Sequence, residues 1–213
     1  MMENVVFENT SGEFFMPAEY GILLKSFTAP APTPKVFRES IDGMDGELDF
    51  TEYAGEVRFN DREVKAEFRD VSGKEYRQLM TFLAGQRLKL MYSAIPDYYF
   101  VGRCEEIKQQ ERSHVVDLEC TFICSPYLLA RNKRTVGLTV SSSASVKLKA
   151  LRMSVIPSIT VSAPMTLTYD GNTVALESAG TYMKPEIVIT STQKTLTIAG
   201  SGDISITWRD GVI

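Results

Sequence analysis

Hydrophobic residues recur in this chain at two spacings, and the change between them marks its parts. Alternation is clean at 64–69. There Val64, Ala66 and Phe68 fall on one face and Lys65, Glu67 and Arg69 on the other, the pattern of a half-buried strand. This strand closes a longer stretch, 40–68. The stretch opens with the glycine-punctuated acidic turn Asp42-Gly43-Met44-Asp45-Gly46 and continues through two short extended pieces. Taken alone it predicts a β-meander. Apolar runs at 4–8 and 20–27 predict two earlier strands. The segment TAPAPTPK then sets Pro30, Pro32 and Pro34 in a row. Proline neither donates to a ladder nor sits inside a helix, so an extended connector is expected.

Helical spacing appears once. Tyr76, Leu79, Met80 and Leu83 fall at i, i+3, i+4 and i+7, one apolar stripe. Ser72 and Glu75 have the spacing of a capping box, and Gly85 sits where a terminating glycine belongs. A helix over about 73–84 is predicted. Beyond it, 87–92 alternates as a strand and SAIPD turns around Pro96. Stretches 98–107 and 113–124 predict a long antiparallel pair joined by the polar loop KQQER, with Leu118, Cys120, Phe122 and Cys124 on one face. The polar run RNKR at 131–134 suggests a boundary.

From Thr135 the chain is rich in Ser, Thr and Val without helical spacing. Strands are expected at 137–141, 145–151, 158–162, 165–169, 173–177, 186–190, 195–199 and 203–208. Asp170-Gly171-Asn172 and Gly200-Ser201-Gly202 are expected hairpin turns. Short strands with such turns predict a small antiparallel sandwich. The fold class expected is therefore mainly β with one α-helix. Residues 1–130 form a sheet-plus-helix domain and 135–213 an antiparallel β-sandwich.

Composition narrows the function classes. The chain has 213 residues, 44% hydrophobic and 23% charged, with net charge −4, which does not favour a free-standing nucleic-acid binder. No run of about 18 uncharged apolar residues predicts a membrane span. The N-terminal residues lack the basic and apolar regions of a signal peptide. Three cysteines fit reduced thiols made in a cytosol.

Cys104, Cys120, Cys124 and the single histidine, His114, supply zinc-ligand types, but no C-x₂-C knuckle occurs, and Cys120 and Cys124 point inward beside Phe122. The acidic turn fails as a calcium loop. With Gly46 at the sixth position and Glu52 at the twelfth, the first position is Ile41 and the third Gly43, which offer no side-chain oxygen. No metal or cofactor is expected. His114 has no evident nucleophile or orienting partner, and no nucleophile elbow, GxGxxG or Walker loop occurs. Tyr98 and Phe100 alternate with Tyr99, so at least one of the two faces is expected to be core.

The order of these features resembles the distal tail protein (Dit) family of long-tailed, non-contractile phages and prophages of Gram-positive bacteria. The resemblance rests on Tyr20-Gly21-Ile22, the IDGMDGELDFTE turn, and FNDREVKAEF with Asn60 and Arg62. It also rests on the helix ending FLAG, the DYYFVGR strand and LECTFICSPY. These cover about residues 1–130. The second half, ending GSGDISITWRDG, is similar to the family's C-terminal sandwich. Met44 stands where the family's turn, G-R-D-G, has arginine.

The resemblance implies a non-enzymatic virion protein at the distal tail tip or baseplate, synthesised in the host bacterial cytoplasm. Its N-terminal domains would form a homo-hexameric ring, and its galectin-like C-terminal domain would be a docking platform. The implied partners are the major tail tube protein, a tail-associated lysin, fibre or tip protein, and receptor-binding or baseplate proteins. DNA would pass transiently through the lumen, with no membrane involved. Asp42, Gly43, Met44, Asp45, Gly46 and Tyr53 are the expected ring-interface loop. The alternative is a carbohydrate-binding module that recognises host surfaces. It requires an aromatic platform on the sandwich, where the candidates are Tyr169, Tyr182 and Trp208, and Trp208 alternates with Ile204 and Ile206 toward the core.

Overall fold

The computed structural model describes residues 3–53, 55–112 and 115–213. Contacts divide the chain into two units, Met1–Leu128 with Ile213, and Leu129–Val212.

The first unit runs β1 (Val5–Asn9), β2 (Phe14–Phe15), a 3-10 turn (Pro17–Tyr20), β3 (Leu23–Thr28), β4 (Arg38–Ser40), β5 (Glu47–Asp49), β6 (Arg62–Val71), α1 (Gly73–Leu83), β7 (Arg87–Tyr92), β8 (Tyr98–Arg112) and β9 (Val115–Cys124). Its main sheet has the order β2-β1-β7-β8-β9-β6-β3. Every neighbour along it is antiparallel.

The alternation read in β6 holds: Val64, Ala66 and Phe68 are buried, facing Phe122, Cys120 and Leu118 of β9. Phe7 stacks on Phe122 at 5.5 Å and meets Phe68 edge-on at 6.3 Å. Burying side chains of this size stabilises by about 1.5–3 kcal/mol each. Leu79 and Leu83 of α1 are buried in the same core, with Tyr76 packed at its margin. Gly102 allows β8 and β9 to close, since a Cβ there would lie 2.4 Å from Cys124 Sγ.

Three expectations change in this unit. Ser72 has the extended backbone of an N-cap, but its side chain makes no capping bond. Glu75 Oε2 is buried without a partner, so the capping box is not closed. Gly85 does adopt the left-handed conformation, at φ +68°, and donates to Cys104 O in the sheet. The polar stretch KQQER is strand, because β8 runs to Arg112 and pairs residue by residue with β9 down to Val115. There the ribbon is solvated, so polar side chains such as Lys108 and Gln110 fit it. Residues 113–114, and with them His114, lie outside the described residues. Finally, β5 pairs only with β4 and not with β6, so 40–68 is not one meander. It is a separate hairpin followed by a core strand.

The second unit runs β11 (Arg134–Val140), β12 (Ser143–Leu148), β13 (Ser158–Val161), β14 (Met165–Tyr169), β15 (Asn172–Leu176), β16 (Gly180–Met183), β17 (Lys194–Gly200), β18 (Gly202–Trp208) and β19 (Gly211–Val212). It follows β10 (Leu128–Ala130). Two four-stranded antiparallel sheets, β11-β18-β13-β16 and β12-β17-β14-β15, enclose one core that includes Ile159, Leu167, Leu196, Ile198, Ile206 and Trp208.

Asp170 and Gly171, at φ +51° and +81°, make the tight turn between β14 and β15, as read. Gly200-Ser201-Gly202 is not a hairpin turn, because β17 and β18 belong to opposite sheets. The chain crosses the sandwich there, so close that a Cβ on Gly202 would meet Ser162 Oγ at 2.7 Å. The strand expected at 186–190 is also absent. Pro185 lies in a turn, and only Ile189 bridges, to Val155. Ile187 and Ile189 are nonetheless fully buried, so the alternation reported burial rather than a ladder. Asp210 ties the end of the unit to its start. Its Oδ1 accepts from Leu151 N at 3.1 Å and Trp208 Nε1 at 3.2 Å, and Arg134 approaches Oδ2 at 3.6 Å.

Candidate functional site

Between β3 and β6, which are neighbours in the sheet, the chain makes a long excursion. Its two limbs pair with each other. Asn60 N donates to Thr33 O at 2.8 Å, Lys35 N to Arg58 O at 2.8 Å, and Phe50 N to Phe37 O at 2.7 Å. The β4–β5 ladder continues from Arg38↔Asp49 to Ser40↔Glu47. The result is an arm, 33–60, rooted at the edge of the sheet. Gly43 and Gly46, at φ +86° and +84°, turn its tip, a conformation that glycine adopts without steric cost.

The arm carries apolar side chains outward. Val36, Phe37, Ile41, Met44, Leu48, Phe50 and Tyr53 are all exposed, Phe37 by 72% and Tyr53 by 88%. Lys35, Phe37 and Glu39 share one face by alternation. With Phe50, Tyr53 and Arg58 they line a groove of about 440 Å³. The rim is polar and locally fixed. Arg38 lies 3.6 Å from Asp49, and Thr51 N donates to Asp49 Oδ1 at 2.9 Å. The Thr51 hydrogen bonds, and then Arg38, hold the Asp49 carboxyl below its ordinary range. A contiguous apolar surface with a charged rim is the signature of an interaction site rather than of chemistry.

At the root of the arm lies the second unusual feature. Arg62, first residue of β6, faces the same side as Val64 and is only 5% exposed. Its guanidinium sits 4.8 Å from the centre of the Phe100 ring. Nη1 makes one long contact, 3.5 Å to Pro30 O, while Nε and Nη2 have no partner. Burial pushes its pKa down. A buried ion without a counter-charge costs several kcal/mol.

The structure brings Asp42, Gly43, Met44, Asp45 and Gly46 together at the arm's tip. It places Tyr53 apart from them, in the groove nearer the root. Sequence reasoning passed over Phe37 and Phe50, which complete that groove. It also missed the burial of Arg62, although the period-two pattern of Val64, Ala66 and Phe68 extends to it.

The remaining candidates are absorbed by the folded cores. The three thiols are buried. Desolvation pushes Cys104 up to about 11 and Cys124 up to about 12, and raises Cys120 further. They remain protonated and poor ligands at neutral pH. Tyr99 and Phe100 are both buried, on opposite faces of β8. On the sandwich, Tyr169 and Trp208 are buried, and the half-buried Tyr182 bonds to Ser178. Among the described residues no helix is long and apolar enough to cross a membrane.

The chain has a Dit-like fold from end to end. It is similar to the crystal structure of the SPP1 Dit (gp 19.1) protein, with a TM-score of 0.68 at 14% identity over 100% of both chains. That protein is described as a paradigm of the hub adsorption apparatus in Gram-positive infecting phages. It is also similar to a chain of the phage P2 baseplate in its activated conformation. With Ca the TM-score is 0.51 at 8% identity, covering 97% of this chain and 98% of that one. With Sr it is 0.54 at 9% identity, covering 98% of each. No family model and no curated protein matches the chain.

Proposed function

We propose that this protein is a structural hub of a phage tail. Six copies close into a ring that joins the tail tube to the tail-tip or baseplate proteins, and the genome passes through the lumen. The first unit makes the ring, with the arm as a ring contact. The sandwich presents a docking surface to tip, fibre or receptor-binding proteins. The protein acts in the virion and without catalysis. The observation that carries this reading is the full-length likeness in fold to SPP1 Dit. The arm adds support, because an apolar ribbon left in water is stabilised when a neighbour covers it. A ring satisfies every head-to-tail interface without running on into a filament.

The alternative, a carbohydrate-binding module, has less support, because Tyr169 and Trp208 are buried and only the half-buried Tyr182 remains as a candidate ring. The test is mass in solution with negative-stain images of the whole chain. A six-membered ring with a central hole is expected. A monomer at every concentration overturns the reading. Saturable binding on a glycan array would revive the alternative.

A further inference from the structure

The root of the arm holds a charge that no described residue answers with an ion pair. Stacking on Phe100 occupies one face of the Arg62 guanidinium. The edge donors Nε and Nη2 are buried and unpartnered, so a carboxylate reaches them only as the cleft opens to it. A guanidinium's edges are built to bind a carboxylate. Arg62 lines a cleft of about 390 Å³ whose other walls include Phe27, Tyr92, Ile95, Phe100, Leu128 and Ile213, the last bearing the terminal carboxylate but not in ion-pair contact with Arg62. A cation set among aromatic and aliphatic walls fits an acidic side chain carried between apolar ones.

The arm's tip has that composition: Ile41-Asp42-Gly43-Met44-Asp45, with Ile41 and Met44 exposed. The arm's own pairing runs from Thr33–Asn60 at the root to Ser40–Glu47 near the tip. At about 3.3 Å per residue this carries the tip roughly 20–25 Å away, so an arm does not reach the cleft at its own root. We infer that the Arg62 cleft receives the arm tip of a second copy, a carboxylate of Asp42 or Asp45 pairing with the guanidinium while Ile41 and Met44 lie against the aromatic walls. Repeated head to tail, each arm reaches the root of the next. This inference rests on the ring reading and gives that contact its receptor.

The test compares full-length wild type, Arg62→Met, the double variant Asp42→Asn/Asp45→Asn, and all three changes together. Native mass spectrometry across a dilution series reads the assembly, and thermal melts read the folded subunit. Arg62→Met and the double variant are each expected to raise the concentration at which the ring dissociates by tenfold or more, and the combination no further. The Arg62→Met subunit is expected to melt no lower than wild type, since an apolar side chain replaces a buried cation. A lower melt with an unweakened ring would mean that Arg62 serves its own fold, and would overturn the inference. A ring weakened by Arg62→Met but not by the double variant overturns the arm tip as occupant. A wild-type ring indifferent to every change sinks this inference alone, whereas no wild-type ring sinks the ring reading with it. Should Arg62→Met not fold, the double variant decides by itself, because both aspartates are exposed.

Discussion

The β4–β5 arm and the β14–β15 hairpin are both antiparallel ribbons with glycine at the turn, yet they point their apolar residues in opposite directions. In β14–β15, Met165, Leu167, Val174 and Leu176 are buried against the opposing sheet. In the arm, Phe37, Leu48 and Phe50 meet water. A two-stranded ribbon has no interior of its own. The sandwich supplies one to the first ribbon, and among the described residues of the first unit none covers the second. The same apolar residues therefore do different work, folding the subunit in one place and, in the proposed ring, meeting a neighbour in the other.

The largest expected contrast compares one substitution in the two settings. Phe122→Ala, in the core beside Phe7, should lower the stability of the first unit by about 3–5 kcal/mol, read as an earlier urea transition. Phe37→Ala should change subunit stability by no more than about 0.5 kcal/mol and weaken assembly instead. A large stability loss at Phe37 would break the comparison.

Two aspartates extend it to polar groups. Asp210→Ala leaves Leu151 N and Trp208 Nε1 without their acceptor and should cost the sandwich about 1–3 kcal/mol. Asp49→Ala, in the exposed arm, should leave both unfolding midpoints where they are.

The turns give a finer version. A Cβ at Gly171 or Gly43 meets nothing within 4 Å, so only the left-handed backbone resists it. Gly171→Ala should cost the sandwich about 1–2 kcal/mol. Gly43→Ala should leave global unfolding unchanged, since the arm opens locally.

The smallest contrast lies in alkali. Cys104 and Cys124 have folded pKa values raised to about 11 and about 12 by desolvation, from an ordinary 9.0. The folded first unit then keeps protons that the unfolded chain releases. Its stability is full below pH about 9 and falls as pH rises toward 11 to 12. The sandwich holds no cysteine, and its buried Tyr169, also raised from 10.0, should begin its decline later. Urea midpoints of the two transitions between pH 7 and 11 would check the order. Cys104→Val with Cys124→Val should reduce the slope in the first unit alone, and the part that remains belongs to Cys120 and Tyr92, whose folded pKa values desolvation also raises.

Period-two and helical spacing made the inward-facing half of this comparison legible. Spacing alone places Val64, Ala66, Phe68, Leu118, Phe122, Leu79 and Leu83 in the interior, and alternation with Ile204 and Ile206 places Trp208 there. These positions answer to local rules, because burial repeats with the backbone period. Ile187 and Ile189 kept the period and the burial without a ladder, because pattern reports which way a side chain faces and not what its backbone pairs with. KQQER reads as a loop because polar composition marks solvent, and a solvated ribbon is as polar as a loop. Gly200-Ser201-Gly202 carried the signature of a turn but not the identity of the sheets it connects. The arm was the least legible. Its tip glycines were visible, but Phe37 and Phe50 share a groove only through cross-strand pairing. The burial of Arg62 depends on Phe100, far along the chain.

The arm leaves and re-enters the sheet between β3 and β6, which are hydrogen-bonded to each other. Its length is therefore independent of the fold that carries it. Closing a longer excursion between two fixed strands costs about 0.6 kcal/mol per doubling of its length, and no core register shifts. The excursion can be lengthened, shortened or exchanged while the subunit stays the same, so in the proposed ring the reach between copies would be adjustable separately from the subunit's own stability.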